Sequence, residues 1–378
     1  MNSKSLFFVQ ILSIALLLAN LCESQSVVTN WNLYIRKSGT SIILKLNGFG
    51  LTSTQGLRKH STVTILDLQT NFLRYFDDIQ YLTNLISLSL DYNRLGSIRG
   101  IEYLKNLTFL SLSYNRIETI SEIRFLLKLN YVYLGHNRIK SLDGFESLTQ
   151  LTFLNLEQNR IESLDQLRNA DKVSRIVLTS NMIRNVSCLS NFLNLTSISI
   201  EDNKLETIEA FANLTKLNIL NLKSNQIQSL KGIENLTRLT LLYLESNQIE
   251  SLQALENLTR LIQIDAGLNR IESLWGVQNL TKLQSISLKY NKIKFIRELS
   301  NLKSLTSLDL SFNQLESLKG IENLTLLNEL KLSPNTIESL KEVEKLENVE
   351  IHHLGYNQIE SLEGLENLRW VRLNSIPK

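Results

Sequence analysis

The chain has 378 residues and a formal net charge of +3, because 40 basic and 37 acidic residues are interleaved along its length. Runs of five or six like charges, which are typical of nucleic-acid binding, do not occur, so no nucleic acid is expected as a partner. The low aromatic share of 7%, with two prolines and fourteen glycines, favours a repetitive architecture over two compact globular domains.

The N-terminus has the composition of a secretory signal peptide. One lysine precedes the apolar run 6–21, and Cys22, Glu23 and Ser24 offer a cleavage site before Gln25. The apolar run is shorter than the roughly 20 residues that span a bilayer. We therefore predict a cleaved signal peptide at residues 1–24 and a secreted protein without a membrane span, with a retained anchor or a buried element as alternatives.

Cysteine usage excludes an intramolecular disulfide in the mature chain. After signal cleavage only Cys188 remains. An unpaired thiol is expected, and pairing between two chains is the alternative.

One period governs the sequence. Asparagines follow one another at a constant spacing of 22 residues, at Asn71, Asn93, Asn115, Asn137, Asn159, Asn181, Asn203, Asn225, Asn247, Asn269, Asn291, Asn313, Asn335 and Asn357. Such a period predicts stacked structural repeats, each of which buries its apolar face against its neighbours. The asparagine itself is expected to be structural, because an amide can both donate to and accept from backbone groups at a sharp turn.

Aliphatic residues keep fixed positions relative to each asparagine. They recur 8, 5 and 3 residues before it and 2, 5, 8 and 11 residues after it, as around Asn247. The Leu-x-Leu step before the asparagine has the period of a short strand, and the spacing of three after it favours 3₁₀-like turns.

The pattern predicts an α/β solenoid of the leucine-rich repeat type: a horseshoe with a parallel sheet on its concave face and short 3₁₀ segments on its convex face. Residues 25–62 are predicted to form an N-terminal cap, with a strand pair around Ser38-Gly39 and a degenerate repeat in which Phe49 replaces the asparagine. The array is expected at 63–367 and a degenerate C-terminal cap at 368–378. By this count His352 occupies a core position, and Asn374 a strand position of the last unit.

The repeat LxxLxxLxLxxNxIxxL, as read from Leu236 to Leu252, resembles the 22-residue repeats of the protein phosphatase 1 regulatory subunit 7 family and is similar to those of bacterial internalins. The resemblance covers roughly residues 41–376. It is specific for the fold and only weakly informative about function, because such scaffolds carry many different sites.

A candidate partner-binding surface lies on the outward positions 6, 4, 2 and 1 residues before each asparagine. Rings accumulate there in adjacent repeats, and exposed aromatic side chains provide large contact area at a small entropic cost. The alternative is that these rings simply favour strands. The candidate residues are Tyr92, Phe109, Tyr114, Tyr131, Tyr133, His136 and Phe153, followed by the acidic Glu157 and Glu201.

The sequence allows two alternative functions. The first is a secreted recognition protein that binds a protein, in preference to a glycan, through its concave face. The second follows from the resemblance, which implies that aromatic and acidic side chains of the concave face hold a phosphatase. Phe109, Tyr131, Phe153, Glu157 and Glu201 match those residue types, and that function would place the chain in the cytoplasm.

Catalysis is not expected, because no metal-ligand spacing, nucleophile with a base or phosphate-binding glycine loop accompanies the four histidines. No cofactor is implied. Asn-x-Ser/Thr triplets, the acceptors for N-linked sugar, occur at Asn106, Asn185, Asn194, Asn213, Asn235, Asn257, Asn279 and Asn323. The repeat itself generates most of them, so they are predicted glycosylation sites only if the chain is exported.

Overall fold

The computed structural model describes residues 34–346, 348–352, 354–361, 363–365 and 370–372. The predicted signal peptide at 1–24 lies outside the described residues, as do Asn374 and the end of the chain. The chain divides into two compact units, of which unit 1 ends at Val173 and unit 2 begins at Ser174.

Unit 1 contains one antiparallel strand pair followed by parallel strands. β1 pairs with β2 in antiparallel register around a turn at Gly39, whose φ of 58° suits glycine. From β2 to β7 each strand pairs in parallel with the next. The strands are β1 Ile35–Ser38, β2 Ser41–Lys45, β3 Ile65–Asp67, β4 Ser87–Ser89, β5 Phe109–Ser111, β6 Tyr131–Tyr133 and β7 Phe153–Asn155.

Short 3₁₀ helices return the chain from one strand of unit 1 to the next. They are η1 Leu57–His60, η2 Asp77–Tyr81, η3 Ile101–Tyr103, η4 Ser121–Phe125, η5 Phe145–Ser147 and η6 Asp165–Leu167. The backbone N–H of the residue after η2, η3, η4 and η5 donates back into its own turn, which closes each turn locally.

Unit 2 repeats this arrangement, and nine strand pairings within it are parallel. Its strands are β8 Arg175–Val177, β9 Ser197–Ser199, β10 Ile219–Asn221, β11 Leu241–Tyr243, β12 Gln263–Asp265, β13 Ser285–Ser287, β14 Ser307–Asp309, β15 Glu329–Lys331, β16 Glu350–His352 and β17 Trp370–Arg372. Its described 3₁₀ helices are η7 Ser187–Asn191, η8 Glu209–Phe211, η9 Gln253–Leu255, η10 Arg297–Asn301 and η11 Lys341–Val343.

The predicted core positions are confirmed. Around Asn247 all seven aliphatic residues of the pattern have 0% exposure, namely Leu239, Leu242, Leu244, Ile249, Leu252, Leu255 and Leu258. Because parallel strands place equivalent leucines side by side, each unit buries a continuous core that no single repeat could form. The predicted fold class, a leucine-rich repeat solenoid with parallel strands and 3₁₀ turns, is correct.

The recurrent asparagine links neighbouring repeats through hydrogen bonds to their backbone. Asn225 Oδ1 accepts a hydrogen bond from the Leu205 N–H at 3.0 Å, and its Nδ2 donates to the carbonyls of Ile200 and Leu222 at 3.0 and 3.1 Å. The same set recurs at Asn115 and Asn247. The structural role predicted for the asparagine is therefore confirmed.

In all repeats but that of Asn335, which Pro334 precedes, the residue before the asparagine has a left-handed backbone. Thirteen of these residues have φ between 52° and 59°, including Tyr92, Tyr114, His136 and Leu268. Ordinary side chains avoid this region at a cost of about 1 kcal/mol. The N–H of Tyr92 donates to the Ser113 carbonyl of the next repeat at 3.0 Å, and such bonds offset the cost.

The structure corrects the register near the C-terminus. The central, buried residue of β16 is Ile351, which pairs with Leu330, so Ile351 and not His352 takes the register position of the core leucine. Val371 in turn pairs with Ile351 and takes the strand position that was predicted for Asn374. The spacing of the asparagines stays constant, because an extra residue between Ile351 and Asn357 compensates for a strand that starts one residue early.

The N-terminal strand pair predicted around Ser38-Gly39 is present. β1 Ile35–Ser38 and β2 Ser41–Lys45 flank Gly39. Phe49 replaces the asparagine as expected, and its half-exposed ring packs edge-on against Tyr34 at 5.0 Å between centroids.

Candidate functional site

The outward side chains of the strands and of the left-handed residues form one surface in each unit, here called the strand face. On it, neighbouring repeats place equivalent side chains next to each other, because adjacent parallel strands lie about 4.8 Å apart. A residue type that recurs in consecutive repeats therefore becomes a continuous row.

Three rings of unit 1 form a stack at the left-handed positions. Tyr92 and Tyr114 lie 4.2 Å apart between centroids with an interplanar angle of 10°, and Tyr114 and His136 lie 3.9 Å apart at 12°. A hydrogen bond with Tyr92 raises the pKa of Tyr114. At the end of the stack, His136 Nε2 lies 3.7 Å from Glu157 Oε1. This ring stack is thus held both by contact and by polar neighbours.

A second group of rings lies on the strands themselves. Tyr133 contacts Phe109 at 5.5 Å and Phe153 at 4.7 Å between centroids, with tilted planes. Tyr131 pairs in register with Phe109 on one side and Phe153 on the other, and 47% of it is exposed. We call these four residues the ring cluster.

Small and acidic residues separate the two groups. Asp91 accepts hydrogen bonds from Ser111 Oγ at 2.6 Å and from the Ser113 N–H at 2.7 Å. Burial raises the pKa of Asp91 above its usual range, against the lowering effect of these bonds. Gly135 leaves room for Glu157, since a Cβ at this glycine would lie 3.0 Å from Glu157 Cγ. Asp91, Ser111, Gly135 and Glu157 thus lie between the two aromatic groups, and we call them the polar floor.

The structure therefore divides the predicted surface. Eight of the nine predicted residues lie on the strand face of unit 1. Within the described residues, ring contacts occur inside the ring stack and inside the ring cluster but not between them. Glu201 lies in unit 2, where its Oε2 accepts a hydrogen bond from Asn221 Nδ2 at 2.8 Å. Sequence reasoning missed Asp91 and Ser111, although both stand in the same outward columns that contain the rings.

The strand face of unit 2 carries an ion-pair network. Lys223 Nζ pairs with Asp265 and lies 3.0 Å from Glu245 Oε2, and Lys289 Nζ lies 2.8 Å from Glu245 Oε1. The hydrogen bond with Lys289 lowers the pKa of Glu245, and that with Glu245 raises the pKa of Lys289. Burial lowers the pKa of Lys223, but its bonds to Asp265 and Glu245 outweigh burial and raise it. These charges are largely engaged with one another.

A second apolar row lies on unit 2 and was also missed. Leu268, Tyr290 and Phe312 occupy consecutive left-handed positions, each a little over 40% exposed, and Tyr290 stacks on Phe312 at 4.0 Å between centroids. Reading the column of residues before the asparagines beyond His136 would have found it.

All eight predicted sugar acceptors are exposed. Two of them are engaged by a lysine of the next repeat: Lys128 Nζ donates to Asn106 Oδ1 at 2.8 Å, and Lys216 Nζ donates to Asn194 Oδ1 at 2.7 Å. Exposure makes a glycan sterically possible at each position.

Within the described ranges, no group of three or more His, Cys, Asp or Glu side chains is arranged to hold a metal ion. Among the helices of that same part of the chain, none has the length and apolar character needed to cross a bilayer. What the strand face offers is aromatic contact area beside hydrogen-bonding groups, which suits recognition.

Two family models match the chain. A model described as leucine rich repeats in two copies matches residues 83–124, 128–169 and 281–325, and a leucine rich repeat model matches 193–249. An internalin from Listeria monocytogenes is 30% identical, with a TM-score of 0.73, over 78% of this chain and 88% of its own. The chain belongs to the leucine-rich repeat family.

Other solved leucine-rich repeat proteins share the fold. A protein from Leptospira interrogans is 28% identical, with a TM-score of 0.78, over 86% of this chain and 88% of its own. The ectodomain of the Arabidopsis thaliana receptor kinase GASSHO1/SCHENGEN3, solved in complex with CASPARIAN STRIP INTEGRITY FACTOR 2, is 23% identical, with a TM-score of 0.66. That match covers 87% of this chain and 46% of the ectodomain. No curated protein matches this chain.

Proposed function

We propose that this leucine-rich repeat chain is a secreted recognition protein that binds a protein partner through the strand face of unit 1, without catalysis. The observation that carries the proposal is the pairing of the ring stack with the ring cluster across a polar floor. Interfaces gain most of their affinity from a few aromatic anchors surrounded by polar contacts, and both components are present on this face.

The rigidity of the surface supports the same function. The rings of the stack hold one another at about 4 Å, as between Tyr114 and His136 at 3.9 Å, and the strands beneath them are fixed by their parallel pairing. Side chains that are already ordered lose little further entropy when a partner binds. A preorganised aromatic surface therefore favours affinity in a way that mobile loops do not.

The comparisons support a binding role in general terms. The GASSHO1/SCHENGEN3 ectodomain was solved in complex with CASPARIAN STRIP INTEGRITY FACTOR 2, and a plant peptide hormone receptor of the same fold, 21% identical to this chain, was solved in complex with RGF2. A phosphatase scaffold in the cytoplasm, the second function, rests on the sequence resemblance alone.

Changing Tyr131 and Phe153 together to alanine tests the binding face. We expect the double variant to bind the natural partner at least about tenfold more weakly, with a melting temperature within a few degrees of the wild type, because both side chains lie outside the buried core. Affinity measured by surface plasmon resonance after the partner is isolated provides the readout.

The matched control changes Tyr290 and Phe312 to alanine, which removes an exposed aromatic pair from the strand face of unit 2. This control should retain affinity. Equal loss in both double variants would argue against a site on unit 1, and a large fall in the melting temperature of Tyr131→Ala/Phe153→Ala would assign those rings to the fold.

Export is tested separately at the N-terminus. Mass spectrometry of the mature protein should find a chain that begins near Gln25, and treatment with a peptide-N-glycosidase should lower its mass if the eight exposed triplets carry sugar. An intact Met1 in a cytosolic fraction would favour the phosphatase scaffold instead.

A further inference from the structure

Arginine follows the recurrent asparagine directly in four consecutive repeats of unit 1, at Arg94, Arg116, Arg138 and Arg160. All four side chains are exposed. The backbone at this position is bonded from repeat to repeat, as where the Arg116 N–H donates to the Leu95 carbonyl at 2.8 Å. With about 4.8 Å between repeats, the four arginines form a row about 14 Å long. The row is not visible as a run of like charges, because its members are 22 residues apart in the sequence.

The residues around this row carry an excess of positive charge. In the same four repeats, the exposed positions 1, 3 and 4 residues after the asparagine hold five basic residues, two acidic residues and five small polar ones. We call these twelve residues the arginine strip: Arg94, Gly96, Ser97, Arg116, Glu118, Thr119, Arg138, Lys140, Ser141, Arg160, Glu162 and Ser163. The same positions of unit 2, in the eight repeats from Asn181 to Asn335, hold five basic and five acidic residues. The excess therefore belongs to unit 1.

Most of the arginines in the row have no acidic partner. Arg138 Nη1 lies 3.8 Å from Glu118 Oε1, in a pair whose side chains are 50% and 66% exposed, and such exposed pairs contribute little. Within the described residues, Arg94, Arg116 and Arg160 form no ion pair. The Arg94 guanidinium instead lies 4.4 Å from the centroid of the Phe72 ring, a contact that leaves its charge uncompensated.

The nearest acidic residues of other columns belong to other surfaces. Asp91 and Glu157 lie on the strand face, where Asp91 accepts hydrogen bonds from Ser111 and Ser113. Asp165 comes five residues after Arg160, beyond the buried Leu164, and accepts a hydrogen bond from Ser163 Oγ at 2.8 Å. The position of the row itself holds no acidic residue in any repeat.

The fold does not require arginine at this position. Other repeats place Phe72, Met182, Gln226 or Thr336 there, and the inter-repeat bond uses only the backbone. Neighbouring guanidinium groups repel one another, although water and salt reduce the repulsion. A repulsive row that the core does not need indicates that it binds negative charge.

We propose that the arginine strip binds a sulfated polysaccharide, at a site distinct from the strand face. The guanidinium group donates paired hydrogen bonds to one oxyanion group and is weakly hydrated, which suits a ligand with repeated oxyanions. The other residues of the strip supply hydroxyl groups for the sugars, and none of the twelve is aromatic or aliphatic. An acidic protein segment fits less well, because protein interfaces gain most of their affinity from apolar and aromatic anchors.

The predicted glycosylation leaves the strip open, because none of the eight sugar acceptors is one of its twelve residues. The inference rests on the secretion included in the proposed function, since sulfated polysaccharides are extracellular. Its test uses the purified chain, so the result does not depend on export or on the identity of the protein partner.

Fluorescence anisotropy with a labelled heparin dodecasaccharide tests the proposal. The wild-type chain should bind this probe at physiological ionic strength and release it as salt is added. The variant Arg116→Gln/Arg138→Gln/Arg160→Gln introduces the residue that stands at the same position as Gln226, and it should bind at least about tenfold more weakly. Chemically desulfated heparin should not compete with the probe.

The matched control is Lys204→Gln/Arg270→Gln/Lys292→Gln, which removes three positive charges from the same position of unit 2. Because it changes the net charge equally, its affinity for heparin should stay within about twofold of wild type. Tyr131→Ala/Phe153→Ala should also bind heparin like wild type, which separates the strip from the strand face. Unchanged melting of the two triple variants by circular dichroism would confirm that the loss is local.

Three outcomes would overturn the proposal. The first is unchanged heparin binding by the unit 1 triple variant, or an equal loss in both triple variants, which would reflect net charge alone. The second is competition by desulfated heparin as strong as that by heparin. The third is arginine-dependent binding of poly-L-glutamate with the affinity of heparin, which would make an acidic protein the ligand. Loss of protein binding alone would refute the proposed function and leave the strip intact.

Discussion

Asparagine has two different roles in this protein, and its position in the repeat decides which of them it takes. Asn225 is buried and bonds to backbone groups of two repeats, whereas Asn235, ten residues later, is exposed on the return side. The same residue type is structural in one slot and free for modification in the other. Function is therefore to be sought in slots whose side chain neither fills the core nor bonds to the backbone.

Replacing Asn225 with alanine should lower the free energy of unfolding by about 3 kcal/mol, because the Leu205 N–H and the Ile200 carbonyl lose their partner in a buried place. Asn235→Ala should change it by less than about 0.5 kcal/mol. Urea unfolding followed by circular dichroism measures both, and equal effects would contradict the assignment of the two slots.

The network around Glu245 should make stability sensitive to acid. The folded pKa of Glu245 is lowered below 4.5 by Lys289 and then Lys223. The contribution of Glu245 to the free energy of unfolding is therefore complete above pH 4.5. It is lost as the pH falls through the lower folded pKa. Between neutral pH and about pH 3 the melting temperature of wild type should fall more than that of Glu245→Gln. Parallel curves would show that the network contributes nothing.

At the scale of elements, the return segments alternate between two kinds of turn. The slot seven residues after the asparagine holds glycine with φ near 100° in some repeats, as at Gly144 and Gly276, and another residue within a 3₁₀ turn in the repeats between, as at Ala254. Glycine is needed where the chain approaches the previous repeat: a Cβ at Gly276 would collide with the Leu252 carbonyl and lie 2.7 Å from Gln253 Cα.

Gly276→Ala should accordingly destabilise the protein by about 2 to 4 kcal/mol, because both the left-handed backbone and the close approach reject a side chain. The matched change Ala254→Gly, in the same slot one repeat earlier, should cost only about 1 kcal/mol. Thermal unfolding of the two variants compares them directly, and a reversed order would refute the description of the two turns.

Strands and core positions could be predicted from the sequence because one period repeats them throughout the chain. The left-handed backbone at Tyr92 and His136 could not be predicted, because neither residue type favours that conformation. Hydrogen bonds to the next repeat stabilise it. Counting back from Asn357 predicted a core position for His352. A fixed count cannot detect that β16 starts one residue early and that an extra residue follows Ile351. Placing Ile351 at that register position needed its pairing with Leu330.

The candidate site was only partly predictable for a related reason. The sequence located the rings on adjacent repeats, but side-chain direction decides which of them touch. The column of residues before the asparagines became the ring stack and the strand positions became the ring cluster, with Asp91 and Ser111 between them. A column pattern predicts neighbours along the array and says little about contacts across it.

At the scale of the whole molecule, the chain is a repetitive scaffold whose core is nearly uniform and whose surfaces differ from place to place. Rings are concentrated on the strand face of unit 1, paired charges on that of unit 2, and excess positive charge in the arginine strip of unit 1. Because the core imposes the same demands on every repeat, the proposed recognition depends on these differences.

The central claim, that the strand face of unit 1 binds a protein partner, is tested most directly by site-specific photo-crosslinking. A benzoylphenylalanine placed at Tyr131 should form a covalent adduct with the partner, and the same group at Trp275, on a return segment of unit 2, should not. An adduct at position 275 without one at position 131 would contradict the account and move the binding surface to another part of the molecule.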